Sequence, residues 1–322
     1  MWNDDDGTVF DEECPAFAAA FHPAGTLLAS GDAHGRVTLW DAAAEEPRTV
    51  LHGHTRAIWS VAFSPDGRCL ASGGHDGVIN VWDPLAGAQR LSLGPDERPV
   101  WAVDFSRNGK HLAAGYGSGV VKLFEVADGR ERSVWQCHLR PVHAVAFAPD
   151  GSTLATGSED ATAKLWDVTT GRQLGEFRQH LGWINSVAFS PDGSLLATGS
   201  DDMSAILWNV RNSRVFATLP GHCGLVEAVA FAPDGQRLAT AGQDGCVKLW
   251  RVATGELEAN FEGHDGAVWS VAFSPDSAVL ASAGEDGSIR LWDLTWHGDW
   301  SAVPSSSLVG PHRLEASLAQ VT

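Results

Sequence analysis

A histidine, a serine and an aspartate recur in this chain at spacings that could form a hydrolytic triad. His54, Ser72 and Asp76 offer a base, a nucleophile and an orienting carboxylate. The set returns at multiples of 42 residues, with Thr for Ser in three copies. An enzyme needs one activated nucleophile, so these interchangeable copies predict a structural role. The other copies are His138, Thr156 and Asp160; His180, Thr198 and Asp202; His222, Thr240 and Asp244; and His264, Ser282 and Asp286.

The elements that carry these residues repeat with the same period. Seven periods of 42 residues account for 294 of the 322 residues and leave 28 for the two ends. Self-similarity over about 40 to 45 residues is typical of a repeat architecture. An aromatic residue closes each period, at Trp40, Trp82, Phe124, Trp166, Trp208, Trp250 and Trp292.

One period contains four short strand patterns and no helical pattern. In the second period Ile58–Phe63 alternates apolar and small residues, and residues 64–67 (Ser-Pro-Asp-Gly) form a turn signal. Residues 69–72 and 78–82 are two further strands, and a more polar one lies near residues 91–93. Such a sheet cannot bury both faces alone, so neighbouring sheets must pack on it. The pattern predicts an all-β, seven-bladed β-propeller of four-stranded antiparallel blades.

The dipeptides at the two ends of a period resemble those of the WD40 repeat family. Gly53-His54 stands near the start of a period and Trp82-Asp83 at its end. The same pairs recur as Gly221-His222 with Trp250 and as Gly263-His264 with Trp292-Asp293. The resemblance covers about residues 9 to 293. It implies a non-catalytic scaffold in which Trp, Ser or Thr, His and Asp form a hydrogen-bonded network within each blade. Each of the five sets given above thus gains a tryptophan; in chain order these are Trp82, Trp166, Trp208, Trp250 and Trp292.

Two periods depart from this network. The third has Asp96, Ala114, Ser118 and Phe124 at the four positions, and the first has Glu12, Ser30, His34 and Trp40. One interpretation is drift at positions where packing alone suffices. The other is that the third blade is softer and adapts to a partner. The sequence leaves both open.

Charge and composition exclude several classes of function. The chain has 22 Lys and Arg against 40 Asp and Glu, a net charge of -18, which disfavours direct binding of nucleic acid or of anionic membranes. No apolar run approaches the roughly 18 residues of a membrane span. The acidic start, residues 1–6, is unlike a secretory signal. We expect a cytoplasmic or nuclear protein.

The cysteines give no sign of a disulfide framework or a metal site. They are five in number and form no Cys-x-x-Cys pair, which indicates reduced thiols. Cys137-His138 with His143 could suggest metal ligands, but the repeat already places His138. We therefore expect no metal and no cofactor.

The WD40 resemblance implies that partners bind on the narrow face of the propeller. Residues three and five after the His position, and the residue before the network Asp, line that face. Because a closed ring places the seventh blade beside the first, four contiguous blades contribute aromatic residues there. The residues five after the His position are Phe17, Trp59, Trp101, His143, Asn185, Glu227 and Trp269.

Carboxylates on the other blades complete this predicted face. An Arg or Lys can stack on an indole while its charge meets a carboxylate, so the combination favours a short basic peptide or loop of another protein. Alternatively, the aromatic rings only fill the centre and the carboxylates are only solvated. The candidate residues are Phe17, Trp59, Trp101, His143, Trp183, Glu227, Trp269, Glu159, Asp201 and Glu285.

Two other functions remain open at this stage. Residues 208–211 (Trp-Asn-Val-Arg) resemble the W-D-x-R ending of WD40 substrate receptors of cullin-type ubiquitin ligases, with Asn209 in place of Asp and Arg211 in a single copy. A propeller enzyme would need a unique, unrepeated cluster of titratable groups, and the sequence offers none outside the repeat positions. We favour the interaction scaffold, a monomeric propeller within a larger complex.

Ring closure has two candidate strands. Residues 8–10 or residues 301–303 could supply the outer strand of the seventh blade, and we favour the N-terminal one because it would join the first and last blades. Trp296 and Trp300 would then cap the bottom or side. We expect one propeller over residues 1–300 and a flexible, Ser-rich tail over residues 301–322.

Overall fold

A computed structural model describes residues 14–295 and the backbone of residues 305–309, all of them in strands, turns and loops. The strands form seven four-stranded antiparallel sheets, each in chain order. Among the described residues no helix is long and apolar enough to cross a membrane. The predicted seven-bladed propeller is confirmed, and blade one is the sheet β1–β4, blade two the sheet β5–β8, and so on around the ring.

The strand bounds repeat from blade to blade. They are β1 (Ala16–Phe21), β2 (Leu27–Asp32), β3 (Arg36–Asp41), β4 (Glu46–His52), β5 (Ile58–Phe63), β6 (Leu70–Gly74), β7 (Ile79–Asp83), β8 (Ala88–Leu93), β9 (Val100–Phe105), β10 (His111–Tyr116), β11 (Val120–Glu125), β12 (Glu131–Gln136), β13 (Val142–Phe147), β14 (Thr153–Ser158), β15 (Ala163–Asp167), β16 (Gln173–Phe177), β17 (Ile184–Phe189), β18 (Leu195–Ser200), β19 (Ala205–Asn209), β20 (Arg214–Leu219), β21 (Val226–Phe231), β22 (Arg237–Gly242), β23 (Cys246–Arg251), β24 (Glu256–Glu262), β25 (Val268–Phe273), β26 (Val279–Gly284), β27 (Ser288–Asp293) and β28 (Ser305–Val309).

The hydrophobic core lies between blades. Seven clusters of buried apolar side chains are each shared by two adjacent blades, including one across the seam between blades seven and one. The blades approach closely because the second strand of each carries Gly or Ala where its neighbour's inner strand packs. A Cβ on Gly31 would lie 2.5 Å from Cγ2 of Ile58 in the next blade. Each blade is therefore completed by its neighbours.

Side-chain hydrogen bonds also join the inner strands of adjacent blades. The backbone N–H of Val103 donates to Oγ of Ser60 at 3.1 Å. Across the seam, the N–H of Ala19 donates to Oγ of Ser270, also at 3.1 Å. These bonds link strands that belong to different sheets and share no ladder, so they fix the position of one blade against the next.

Blade three is joined to blade four by a carboxylate. Asp104 accepts the N–H of Phe147 at 2.7 Å, whereas the other six inner strands have Ala at this position. Desolvation by burial is the largest effect on this carboxyl and raises its pKa to about 7, against the lowering effect of the Phe147 and Phe105 N–H groups. The departure from Ala at this position is the signal that the sequence carries for this residue.

A β-bulge in every inner strand positions the predicted site residues. In blade two, Ile58 pairs with Gly74 and Ser60 with Gly73, which leaves Trp59 as the extra residue. A bulged residue leaves the ladder and its side chain is re-aimed. We call the seven bulged residues the channel ring; they are Phe17, Trp59, Trp101, His143, Asn185, Glu227 and Trp269.

The closing strand differs from our expectation. β28 (Ser305–Val309) pairs antiparallel with β27, so the prediction that the N-terminal strand closes the ring is wrong. In blade one Val37 pairs with Leu51, but the equivalent Ile289 pairs with Leu308, five residues beyond the position that the period gives. The connection before this strand is therefore longer than in the other blades. Because β28 pairs with β27, residues 305–309 belong to blade seven and not to a flexible tail. Residues 8–10 and 301–303, Glu12, Trp296 and Trp300 lie outside the described residues.

Removing β28 should destabilise the propeller. A chain that ends at residue 304 leaves the edge of β27 without its hydrogen-bonded partner, so we expect its Tm to fall by about 5 °C or more relative to a chain that ends at residue 309. Circular dichroism melts of both chains and of the full chain measure this. Equal melting of the two shortened chains would contradict the assignment of β28.

Titration of Asp104 should appear as a pH-dependent stability difference. The pKa of Asp104 is 3.8 in the unfolded chain and about 7 in the folded protein. The protonated carboxyl therefore contributes its full stabilisation below pH 3.8, and this stabilisation is lost as the pH rises through 7. Asp104→Asn should therefore gain stability relative to the wild type between pH 4 and pH 7, by at most about 1.4 kcal/mol per pH unit, and level off above.

The measurement is denaturant unfolding of Asp104→Asn across that pH range. Asp234→Asn, on an exposed turn, is the control for loss of one carboxylate. A difference between Asp104→Asn and the wild type that does not change with pH would refute the raised pKa.

Candidate protein-interaction face

The channel ring lies at the end of the propeller where the loops enter the inner strands. We call this end the upper face. It is formed by those entry loops and by the turns between the second and third strand of each blade. All ten predicted partner-binding residues belong to the ring, the entry loops or these turns. The turns that hold the Ser-Pro-Asp-Gly signals and the W-D-x-R-like segment lie at the opposite end.

The aromatic members of the ring form one continuous arc. The centroid of the Phe17 side-chain ring lies 4.5 Å from that of Trp59 and, across the seam, 5.7 Å from that of Trp269. The ring of Trp101 lies 4.9 Å from that of Trp59 and 4.7 Å from that of His143. The predicted contiguity of these four blades is confirmed, and the arc extends into blade four.

The far end of the arc is exposed. Trp183, in the entry loop of blade five, stacks on His143 with ring centroids 5.9 Å apart and planes 14° apart. Its side chain is 47% exposed, whereas the ring aromatics are half-buried against one another. The ring aromatics therefore act partly as packing, and Trp183 presents a free face.

A second layer of contacts joins ring residues to the residue sixteen positions later in the same blade. His143 bonds to Glu159 at 3.0 Å, and the amide of Asn185 donates to Asp201 at 2.7 Å. The periodic sequence contains this spacing in every blade, but the pairing of the two positions was not predicted. The remaining pairs are Trp59 with His75 at 3.3 Å and Gln243 with Glu227 at 2.8 Å.

These contacts change the electrostatics of the predicted carboxylates. Desolvation by burial is the main reason that the pKa of Glu227 rises to about 7; Asp201 adds to it and the bond from Gln243 opposes it. Glu227 is thus only partly ionised at neutral pH. Glu285 accepts the N–H of Ala267 at 3.1 Å but is exposed. The carboxylates remain on this face, each with a partner within its own blade.

Two indole N–H groups of the ring have no acceptor among the described residues. They belong to Trp101 and Trp269, and both nitrogen atoms are buried. Trp101 lacks a partner because the residue sixteen positions later is Gly117, whose absent Cβ would lie 3.3 Å from that nitrogen. A buried donor without an acceptor costs free energy unless something binds it.

The upper face also exposes apolar side chains that were not among the predicted site residues. Leu139 and Leu181 directly follow the His position of blades four and five and are 91% and 92% exposed. Met203 is 48% exposed and has a positive φ of 66° at a position where five blades have Gly. That departure from Gly was the available signal, since a non-Gly residue there is strained.

The triad-like residues of blade two form the network that the family resemblance implies. The indole N–H of Trp82 donates to Oγ of Ser72 at 2.9 Å. Nε2 of His54 lies 2.8 Å from the same Oγ, and Nδ1 lies 3.1 Å from Asp76. One hydroxyl therefore joins the indole of the third strand to the imidazole of the entry loop.

Blades four to seven repeat these contacts around their own central hydroxyl. The hydroxyl accepts the indole N–H at 2.9 to 3.0 Å and lies 2.7 to 2.8 Å from Nε2 of the histidine. Nδ1 of each histidine lies 2.7 to 3.1 Å from the aspartate. The structure brings the residues of the predicted network together by hydrogen bonds in all five blades. The central residues are Thr156 with His138, Asp160 and Trp166; Thr198 with His180, Asp202 and Trp208; Thr240 with His222, Asp244 and Trp250; and Ser282 with His264, Asp286 and Trp292.

Burial separates this network from a hydrolytic triad, whose order of contacts it shares. Nδ1 of His54 donates to the carboxylate of Asp76, which can only accept, and Nε2 faces the hydroxyl of Ser72, which also accepts the indole N–H of Trp82. Ser72 has no exposed surface, so no substrate can reach its hydroxyl. The same holds for the central hydroxyls of the other four networks, on Thr156, Thr198, Thr240 and Ser282, which are equally buried.

The pKa shifts agree with a neutral histidine beside a charged carboxylate. Burial opposes ionisation of Asp160, but hydrogen bonds from His138 and Thr162 outweigh it and lower the pKa to about 2. Burial lowers the pKa of His180 and His222 despite their bonds to Asp. A neutral imidazole and an ionised carboxylate are the states that the network requires.

Blade three replaces the network with an ion pair. Asp96, at the His position, accepts from Nζ of Lys122 at 2.8 Å, and Glu131 lies 3.5 Å from the same nitrogen. The lysine also stands 5.1 Å from the ring centre of the buried Tyr116, whose pKa is raised first by burial and then by these carboxylates. Loss of the usual residues has therefore not left the blade without polar contacts. The idea that it is softer stays a prediction.

Arg211 and Cys137 remain outside the upper-face site. Arg211 is exposed on the turn after β19, at the opposite end of the propeller, and the ligase-receptor interpretation stays a prediction. Cys137 is buried, which raises its pKa to about 12. No group of three His, Cys, Asp or Glu that could hold a metal occurs in the part of the chain that the structure describes.

A closed ring of seven blades, a buried Trp–Ser/Thr–His–Asp network and a variable upper face are typical of propellers that serve as protein-interaction scaffolds. Comparison with protein families agrees. The family described as "WD domain, G-beta repeat" matches residues 6–41, 45–83, 88–125, 129–167, 171–209, 213–251 and 255–293. The chain belongs to the WD40 repeat family, whose propellers are generally non-catalytic scaffolds that bind other proteins. A search of curated proteins found no match.

Breaking one network should cost more stability than a typical surface change. Ser72→Ala leaves the indole N–H of Trp82 and Nε2 of His54 without their partner in a buried site, so we expect a loss of about 2 kcal/mol. Ser72→Thr, which introduces the residue that blades four, five and six carry, should lose less. Denaturant unfolding measures both, and equal stability of the Ala variant and the wild type would refute a stabilising network.

Proposed function

We propose that this protein is a non-catalytic scaffold whose upper face binds a short segment of a partner protein, with basic residues of that segment over the carboxylates of blades four to seven. The observation that carries the proposal is the aromatic arc from Trp269 to Trp183, which ends in an indole that is 47% exposed. Large exposed aromatics are the residues that most often dominate an interface. We also propose a cytoplasmic or nuclear location and a monomeric propeller within a larger complex.

The neighbours of Trp183 favour a cation. The backbone N–H of Asp201 donates to the carbonyl of Trp183 at 2.9 Å, which holds an acidic turn beside the entry loop that carries the indole. Glu159 lies in the adjacent blade and bonds to His143, the imidazole on which Trp183 stacks. An Arg side chain on this indole would therefore have two carboxylates close by.

Rigidity of the platform supports the same proposal. The ring aromatics pack against one another at 4.5 to 5.7 Å and their strands are held by interblade bonds. A preformed surface loses little conformational entropy on binding, so a short peptide can bind with useful affinity. The exposed Leu181 and Met203 add apolar area on the same blade as the indole.

The test is selection of 12-residue peptides from a display library on the purified propeller, followed by fluorescence anisotropy with the selected peptides. We expect Arg or Lys beside apolar residues in those peptides and a Kd about 30-fold weaker for Trp183→Ala, equal to about 2 kcal/mol. Phe216→Ala is the matched control, because Phe216 is 49% exposed on the outer strand β20.

Three outcomes would contradict the proposal. They are failure to select any peptide, selection of peptides without basic residues, and equal weakening by the Phe216 control. Circular dichroism of each variant establishes that the fold is intact. Trp59→Ala and Trp101→Ala are less suitable first variants, because both rings pack against ring neighbours.

A further inference from the structure

One loop position divides the upper face into two halves. Two residues after the His position, blades two, three and four carry Arg56, Arg98 and Arg140, whereas blades five, six and seven carry Gly182, Gly224 and Gly266. All three arginines are exposed, and none has an ion pair with any described residue. In a chain of net charge -18, these are three exposed cations at one repeated position, with Glu97 as the exposed carboxylate directly before Arg98.

The three arginines occupy equivalent places on the ring. Each entry loop packs against the tight turn of the preceding blade. A Cβ on Gly35 would lie 2.8 Å from the carbonyl oxygen of Arg56, and one on Gly119 would lie 2.9 Å from that of Arg140. Arg98 sits between them in the same arrangement. The arginines therefore follow one another around the mouth of the channel.

The arginine loop of blade three lies near the aromatic arc, on either side of the Gly117 turn. A Cβ added to Gly117 would lie 3.6 Å from the Cβ of Arg98 and 3.3 Å from Nε1 of Trp101. This indole N–H is a buried donor without an acceptor among the described residues. Burial and then the charge of Arg56 lower the pKa of His75, which is the partner of Trp59. This half of the face thus offers exposed cationic groups to an anion.

The other half has the opposite charge. Asp201 and Glu285 stand on the turns of blades five and seven, and Asp265 is exposed in the entry loop of blade seven, next to Gly266. Glycine at the arginine position leaves these carboxylates without a neighbouring cation on the loop. A bound segment of one charge would meet attraction on one half and repulsion on the other.

We propose that the partner segment is dipolar and binds in one direction, with carboxylate side chains against Arg56, Arg98 and Arg140 and its basic end over Glu159 of blade four and the carboxylates of blades five to seven. This inference rests on the proposed function and adds an acidic end and a fixed orientation to it. The arginines also exclude a purely basic segment from blades two and three, so the face selects partners by the order of their charges.

The experiment uses four fluorescein-labelled 14-residue peptides, three of which share one composition of four Glu and four Arg separated by Gly, Ser and one Leu. Two block peptides carry Glu before Arg and Arg before Glu, a third alternates the charges, and a fourth has Gln for every Glu. Affinities are measured by anisotropy for the wild type and for the triple variant Arg56→Gln, Arg98→Gln and Arg140→Gln. The control combines Arg68→Gln, Arg107→Gln and Arg211→Gln, which removes the same charge from exposed turns at the opposite end.

We expect one block peptide to bind at least tenfold more tightly than the other three. The upper-face variant should lose this preference, and the control variant should keep it. Equal affinity of the Gln peptide, or a preference that survives in the upper-face variant, would overturn the inference. If the Gln peptide binds equally well and weakens with Trp183→Ala, the proposed function stands without the dipolar segment. If none of the four binds, the inference is overturned, and the library selection decides the proposed function separately.

Discussion

Every blade of this protein needs a neighbour on each side, and the rest of the structure depends on that requirement. Both faces of a four-stranded sheet are apolar here, and each buried cluster is shared by two blades. The close approach of Ile58 to Gly31 shows how little space separates them. A ring satisfies the requirement for all seven blades at once, and the seam between blades seven and one is sealed by the same kind of contacts, including the bond from Ala19 to Ser270.

Packing and function use different positions of the same repeat. The network of Trp, Ser or Thr, His and Asp lies inside the blade, where an unsatisfied group would be costly, so its residue types are nearly constant. Bulged residues leave the ladder and can vary, and in this chain they range from Trp59 to Glu227. Blade three shows that even the network can change, provided that another set of polar contacts, here Asp96 with Lys122, takes its place.

The upper face combines a rigid aromatic arc with a division of charge. The arc comes from bulges at one position, and the division comes from the entry loops, where arginines in blades two to four give way to glycines in blades five to seven. Carboxylates such as Glu159 and Asp201 are held by bonds within their own blades, so the charges have fixed places. A preorganised and polarised surface favours a specific partner over non-specific adhesion.

The sequence by itself determined the number of blades, their strand order and the internal network, because a strict period forces every copy into the same local structure. It also placed Phe17, Trp59, Trp101 and Trp269 on contiguous blades, since closure of the ring follows from the repeat. The tertiary structure alone decided what the period does not carry. The closing strand lies beyond a connection of non-repeating length, the exposure of Trp183 depends on neighbouring blades, and the pairing of Glu227 with Gln243 follows from the bulge. Local pattern fixes a blade, whereas contacts between distant segments fix the surface that a partner would meet.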